Sequence, residues 1–240
     1  MSQQLQNFIL SVQKMPHWAN QHSSGKSRVD SHEEALAVEL TAQGYVEEKL
    51  QSKKTPKKQR KYPNLGKKAL LAAIDIEDPV KRQAAIAKLV QGMAKGSFIR
   101  QPAGGQSFPD FLICDFSGTF VVVEAKSGNG AAPTWNDSLP REGCIYIMSS
   151  GKHSGSTFWL GEDWISANER AIFKQLYATI DKIVKEANNK LYAINQNTRG
   201  FQYYNRKKHD QKGSAIYTDP FVHTDRIKCE QNVLAFALAQ

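Results

Sequence analysis

The sequence predicts an α/β fold in which helices flank a central mixed β-sheet. Two apolar runs joined by Ser117-Gly118-Thr119 have the pattern of a β-hairpin over residues 108–130. A third apolar run, at 143–149, predicts a buried strand beside that hairpin. Apolar residues recur at helical spacing before and after these strands, so we expect helices packed on a sheet in one domain.

The composition is that of a folded chain with an excess of positive charge. The 240 residues are 40% hydrophobic and 23% charged, values typical of globular proteins rather than disordered chains. The net charge of +9 favours a polyanionic partner, although a merely basic soluble protein has the same property. Three widely spaced cysteines predict reduced core thiols rather than disulfides or a zinc site. Because we find no signal peptide and no apolar run long enough to span a bilayer, we expect a cytoplasmic protein.

Two helices are predicted before the first strand. The first, over 5–15, has four apolar residues on one side, namely Leu5, Phe8, Ile9 and Val12. The second, over 32–43, begins at a capping box formed by Ser31 and Glu34 and stops at Gly44. The basic stretch 51–68 predicts a solvated loop or an arm that contacts phosphate groups. Three elements follow it: helices over 69–76 and 80–93, and a short strand at 97–101.

The hairpin carries the candidate catalytic and metal-binding residues. Side chains two positions apart share a face of a strand, so Glu124 and Lys126 point the same way as Val122. Because the hairpin folds back on itself, Asp110 at its start is expected near both. Two neighbouring carboxylates favour a hard divalent cation such as Mg²⁺, and a lysine beside it can orient water and stabilise charge on a phosphate. The alternative is a strand end that merely enters solvent.

At these residues the sequence resembles a known family. Pro109-Asp110 followed by Glu124-Ala125-Lys126 is similar to the PD-(D/E)xK nuclease signature, most of all to its type II restriction endonuclease branch. The resemblance implies a restriction-endonuclease-like core, with Asp110 and Glu124 as metal ligands and Lys126 as the catalytic lysine. It also implies Mg²⁺-dependent, sequence-specific hydrolysis of double-stranded DNA. The implied assembly is a homodimer that works beside a cognate DNA methyltransferase.

A glutamate on the helix before the hairpin is a further feature of many similar nucleases. Glu33 and Glu34 are the candidates here for a place in the metal shell. The alternative is that both complement the positive N-terminal end of their helix.

Residues after the hairpin are candidates for contacts with DNA. Asn136 and Ser138 lie in a loop, and loops on a rigid scaffold often carry ligand contacts. Lys152 and His153 lie in the loop 149–157, whose donors suit base edges in a major groove. His153 also suggests a metal or general-base role, which we reject as the leading choice because no Cys, His or acid cluster is nearby.

The C-terminal part predicts a long amphipathic helix over 167–188, a strand at 191–193 and a final apolar segment at 232–239. Between the last two, aromatic and basic residues alternate in a way that suits nucleic acid or a lysine-rich edge strand. The DNA-binding candidates there are Arg199, Tyr204, Arg206, Lys207 and Lys208.

The predicted single nuclease domain, 1–240, therefore has three parts. An N-terminal helix and loop occupy 1–30, the catalytic core 31–165, and a helix with the basic and aromatic segment 166–240. Two other functions remain open: a structure-specific repair or junction nuclease with the same site, and a non-catalytic DNA-binding protein whose hairpin acids are structural.

Overall fold

The computed structural model describes residues 3–17, 31–51, 55–105, 107–130, 132–136, 139–195, 200–204, 208–209 and 219–239. The chain forms two compact units. The first is drawn from Met1–Pro133, Pro140–Trp164 and Lys212–Gln240, and the second from Thr134–Leu139 and Ile165–Gln211. The single nuclease domain over 1–240 stays a prediction.

The strands and helices are numbered in chain order. The strands are β1 (Val46–Glu47), β2 (Ser97–Arg100), β3 (Phe111–Cys114), β4 (Phe120–Gly128), β5 (Trp135–Asn136), β6 (Cys144–Ser150), β7 (Gly155–Leu160) and β8 (Lys208–His209). The helices are α1 (Gln3–Gln13), α2 (Ser31–Ala42), α3 (Lys67–Ile74), α4 (Pro79–Leu89), α5 (Gly161–Trp164), α6 (Ala167–Asn195) and α7 (Arg226–Ala239). A 3₁₀ turn spans Lys57–Gln59.

The first unit contains a six-stranded sheet in the order β1-β2-β3-β4-β6-β7. Two neighbouring pairs, β1 with β2 and β4 with β6, are parallel, and the other three are antiparallel. The predicted α/β fold with a mixed sheet flanked by helices is therefore confirmed. The predicted hairpin is also confirmed: β3 and β4 pair in antiparallel register around a turn at Gly118, whose φ of 97° suits a residue without a side chain.

The hydrophobic core lies on one face of this sheet. Val121 and Val123 of β4 and Ile145 and Ile147 of β6 are fully buried there. Residues of three helices cover them: Leu5, Phe8, Ile9 and Val12 of α1, Leu36 and Leu40 of α2, and Val233 and Ala237 of α7. The apolar face predicted for α1 and the docking predicted for 232–239 are confirmed. Burial of each such side chain stabilises the fold by about 1.5–3 kcal/mol. This stabilisation determines which face of β4 packs on the core, and the opposite face carries the candidate site.

Local signals set the ends of several helices. Gly44 follows α2 with a φ of 89°, so the predicted stop is confirmed. Asp78 caps α4 by accepting a hydrogen bond of 2.8 Å from the Lys81 amide, and Pro79 occupies the first turn. The helices predicted over 69–76 and 80–93 are thus confirmed, each with slightly different bounds.

In the second unit, one prediction is wrong. The predicted strand at 191–193 is part of a helix, because α6 continues to Asn195. Leu191 follows Val184 by seven residues, or two helical turns, so it extends the helical repeat that was already predicted. Much of that apolar repeat is exposed, with Ile172 at 68% and Ile183 at 59%. In the first unit, residues 18–30 of the helix and loop predicted over 1–30 lie outside the described residues.

None of the described helices is both long enough and apolar enough to cross a bilayer.

Candidate active site

The register of the hairpin brings Asp110 beside Glu124. Phe111 pairs with Val123, so Asp110, which precedes Phe111, and Glu124, which follows Val123, are neighbours. The Ala125 amide donates a hydrogen bond of 2.7 Å to Asp110 Oδ2, which fixes that carboxyl group against β4. The approach expected from sequence between the two ends of the hairpin is therefore present.

Glu124 and Lys126 lie on the face of β4 opposite the core. Lys126 Nζ donates to Glu124 Oε1 at 2.5 Å, and both side chains are largely buried. The other carboxylate oxygen, Glu124 Oε2, is buried with no hydrogen-bond partner within the described part of the chain. A buried, unsatisfied acceptor is uncommon in folded proteins, and it suits a position that a cation or water completes.

The carboxyl groups are too close for all of them to ionise easily. Burial raises the pKa of Asp110 to about 9, and the negative charges of Glu124 and Glu33 add to the effect. The Ala125 amide and the Lys126 ammonium group oppose this rise in pKa without cancelling it. A divalent cation would reverse the balance, because it favours the ionised form of each carboxyl group that it contacts.

The two helix glutamates have different environments. Glu33 Oε2 accepts a hydrogen bond of 3.1 Å from Gln101 Nε2, and its charge acts on Asp110. Glu34 instead pairs with Arg100, which also binds both carboxylate oxygens of Glu47, at 2.8 and 3.1 Å. Of the two candidates, Glu33 is the one that interacts electrostatically with Asp110, and a place in a metal shell stays a prediction for both.

Gln101 is a residue of the site that the sequence pattern did not identify. It follows β2 with a φ of 47°, a left-handed conformation that is uncommon for a residue other than glycine. Its amide donates to the Asp110 carbonyl at 2.7 Å while its side chain holds Glu33. Only its position, at the end of the strand predicted over 97–101, was available as a signal, and that position indicates no role.

A metal site must be built here from few protein ligands. Among the described residues, no group of three or more His, Cys, Asp or Glu side chains is arranged to hold a metal ion. Mg²⁺ commonly binds one or two carboxylates and completes its shell with water and substrate phosphate. Asp110 and Glu124, with the open oxygen of Glu124, fit that mode of binding.

Lys152 and His153 share one acidic partner. They lie in the turn between β6 and β7, and Asp219 Oδ2 contacts Lys152 Nζ at 3.1 Å and His153 Nε2 at 2.8 Å. The ring of Phe221 stacks on His153 with centroids 4.6 Å apart. Burial raises the pKa of Asp219, but the hydrogen bonds from His153, Lys152 and Phe221 outweigh burial and lower it. One acid, Asp219, does lie beside His153, because folding brings it from 66 residues away.

The remaining DNA-binding candidates belong to the second unit. Asn136 and Lys208 are paired residues of the two-stranded sheet formed by β5 and β8, although their side chains lie outside the described parts of the chain. Tyr204 is 83% exposed. The other candidates, Ser138, Arg199, Arg206 and Lys207, lie outside the described residues.

Comparison with known proteins gives no relative. No protein-family model matches the chain, and neither a curated protein nor a solved structure matches it.

Proposed function

We propose that this protein is a Mg²⁺-dependent endonuclease of the type II restriction class. Its sheet would be a restriction-endonuclease-like core, and its substrate double-stranded DNA cut at a short recognition sequence. The observation that carries the proposal is the cluster of Asp110, Glu124 and Lys126, in which a buried oxygen of Glu124 has no hydrogen-bond partner among the described residues. The likeness of these residues to the PD-(D/E)xK signature supports the same chemistry.

The chemistry is the addition of water to a phosphodiester. The water oxygen attacks phosphorus, the bond from phosphorus to the leaving sugar oxygen breaks, and that oxygen takes up a proton. Asp110 and Glu124 would hold the metal ion, which when bound supplies Lewis-acid activation of the phosphate and charge compensation. Lys126 would orient the attacking water and offset the negative charge that develops on phosphate.

The assembly follows from the symmetry of the substrate. A duplex with two equivalent strands favours a two-fold dimer with one site for each strand. The proposal also places the enzyme in the cytoplasm beside a cognate DNA methyltransferase. Sedimentation of the protein alone and with DNA tests the dimer: twice the 26.9 kDa chain mass is expected, and a monomer in both states contradicts this part of the proposal.

The decisive experiment is digestion of several plasmids with Mg²⁺ or with a chelator. We expect discrete fragments that appear only with the metal. Cleavage confined to branched, mismatched or nicked DNA would support the repair or junction nuclease instead. Intact plasmid of every sequence, together with DNA binding, would support a non-catalytic DNA-binding protein.

Replacement of the site residues tests their roles. Asp110→Asn, Glu124→Gln and Lys126→Met are each expected to slow cleavage by about 10²–10⁴-fold, because each removes a charge at the reacting phosphate. The control is Glu142→Gln, which removes a carboxylate outside the cluster. DNA binding measured in chelator should survive in all four variants, and full cleavage by Asp110→Asn would contradict the assignment.

A further inference from the structure

A cavity of about 710 Å³ opens in the first unit beside the candidate site. Its lining residues come from three segments: 47–51 from the end of β1, the stretch from 60 to 67, and 100–105 from the end of β2. Its volume falls within the range of about 300–1,000 Å³ that is usual for sites that bind small molecules. Nothing in the predicted function required it.

The lining combines an apolar wall with positive charge. Tyr62, Leu65 and Pro102 contribute carbon surface, and the lining also contains four cationic side chains and two carboxylates. Both carboxylates are already engaged, Glu47 by Arg100 and Glu48 by Lys61 at 2.6 Å.

Two of the cations in the lining, Lys49 and Lys67, have no carboxylate partner within the described part of the chain. Both side chains are exposed. A cavity with apolar walls and uncompensated ammonium groups suits a ligand that carries both a flat apolar ring and a phosphate.

Gln101 connects this cavity to the acids of the site. It lines the cavity, and it also holds Glu33 by its side chain and Asp110 by its backbone amide. A ligand in the cavity would therefore lie one residue away from Asp110, which is proposed to hold the metal ion.

We propose that the cavity binds a nucleotide of the DNA strand adjacent to the cleaved phosphate. The base and sugar would lie against Tyr62, Leu65 and Pro102, and the flanking phosphate would bind Lys49 and Lys67. This inference rests on the proposed function for the identity of its ligand. Its test, however, measures DNA binding and does not depend on cleavage.

Charge provides the first arm of the test. Lys67 lines the cavity and its neighbour Lys68 does not, so Lys67→Glu and Lys68→Glu are matched changes. Binding of linear duplex DNA is measured in chelator over a range of salt concentrations. We expect Lys67→Glu to bind at least tenfold more weakly than Lys68→Glu, with a salt dependence reduced by about one phosphate contact.

Volume provides the second arm. Gly66 lines the cavity in an extended conformation, with φ −164°, and a side chain added there would meet nothing within 4 Å. Gly66→Phe therefore adds a large side chain at the cavity lining without a clash at its Cβ, and Gly66→Ser is a small control at the same position. We expect the phenylalanine variant to remain folded and to lose at least tenfold in DNA affinity, and the serine variant to bind as the wild type does.

The outcomes separate this inference from the proposed function. If Lys67→Glu and Gly66→Phe bind DNA as well as their controls, the cavity is not a DNA subsite, whether or not the enzyme cleaves. If they bind weakly but wild-type protein never cleaves with Mg²⁺, the subsite stands and the nuclease fails. A wild-type protein that binds no DNA overturns both.

Discussion

The ionisation of Asp110 links the residues of the site to the stability of the fold. An unfolded aspartate ionises near pH 4, whereas burial and neighbouring negative charge raise the folded pKa of Asp110 to about 9. The folded protein therefore holds a proton that the unfolded chain releases. The contribution of Asp110 to the free energy of unfolding is fully present below about pH 4 and is lost as the pH rises towards 9.

Asp110→Asn tests this linkage, because the amide has no proton to release. We expect the melting temperature of the variant minus that of wild type, measured by calorimetry in chelator, to increase steadily from about pH 5 to about pH 9. Glu142→Gln serves as a control that should leave the pH dependence unchanged. Parallel curves for wild type and Asp110→Asn would show that Asp110 is ionised in the folded protein at neutral pH.

Residues of the site differ in how far they were predictable. Asp110, Glu124 and Lys126 were found because a hairpin is a local structure and its register follows from its turn. The roles of Gln101 and Asp219 were not found, because each depends on a contact with another part of the chain. Sequence spacing carries no record of such contacts.

At the scale of elements, one junction has no room for a side chain. Gly161 begins α5 directly after β7, and an added Cβ would lie 1.9 Å from the Arg141 carbonyl oxygen. We expect Gly161→Ala to destabilise the protein by about 1–3 kcal/mol, since backbone must move to accommodate it. Gly130→Ala is the control, because its Cβ would meet nothing within 4 Å. Equal melting temperatures for the two variants would contradict the close approach.

Elements with strong local signals were predicted, and those defined by pairing were not. The amphipathic repeat of α1 and the capped start of α4 are readable from a few adjacent residues. In contrast, β1 and β5 are each two residues long and exist through their partners β2 and β8. The error at 191–193 had a different cause, since a short apolar run suits a strand as well as the end of a long helix.

At the scale of the whole molecule, the charge of +9 predicts how DNA binding responds to salt. Each phosphate that the protein neutralises releases condensed counterions, so affinity falls as salt rises. For about six to ten contacts we expect affinity to fall by about 10³–10⁵-fold between about 50 and 200 mM salt. Titrations of duplex DNA in chelator measure the slope, and an affinity insensitive to salt would argue against a phosphate-binding surface.

The burial of the three cysteines has a practical consequence. Cys114, Cys144 and Cys229 are free thiols inside the fold, and burial raises the pKa of Cys144 to about 12 and that of Cys229 to about 11. Only the thiolate reacts readily with maleimides. A cysteine introduced at exposed Lys68 would therefore take a fluorescent dye selectively, and its emission would report the arrival of DNA in a chain that keeps all its native thiols.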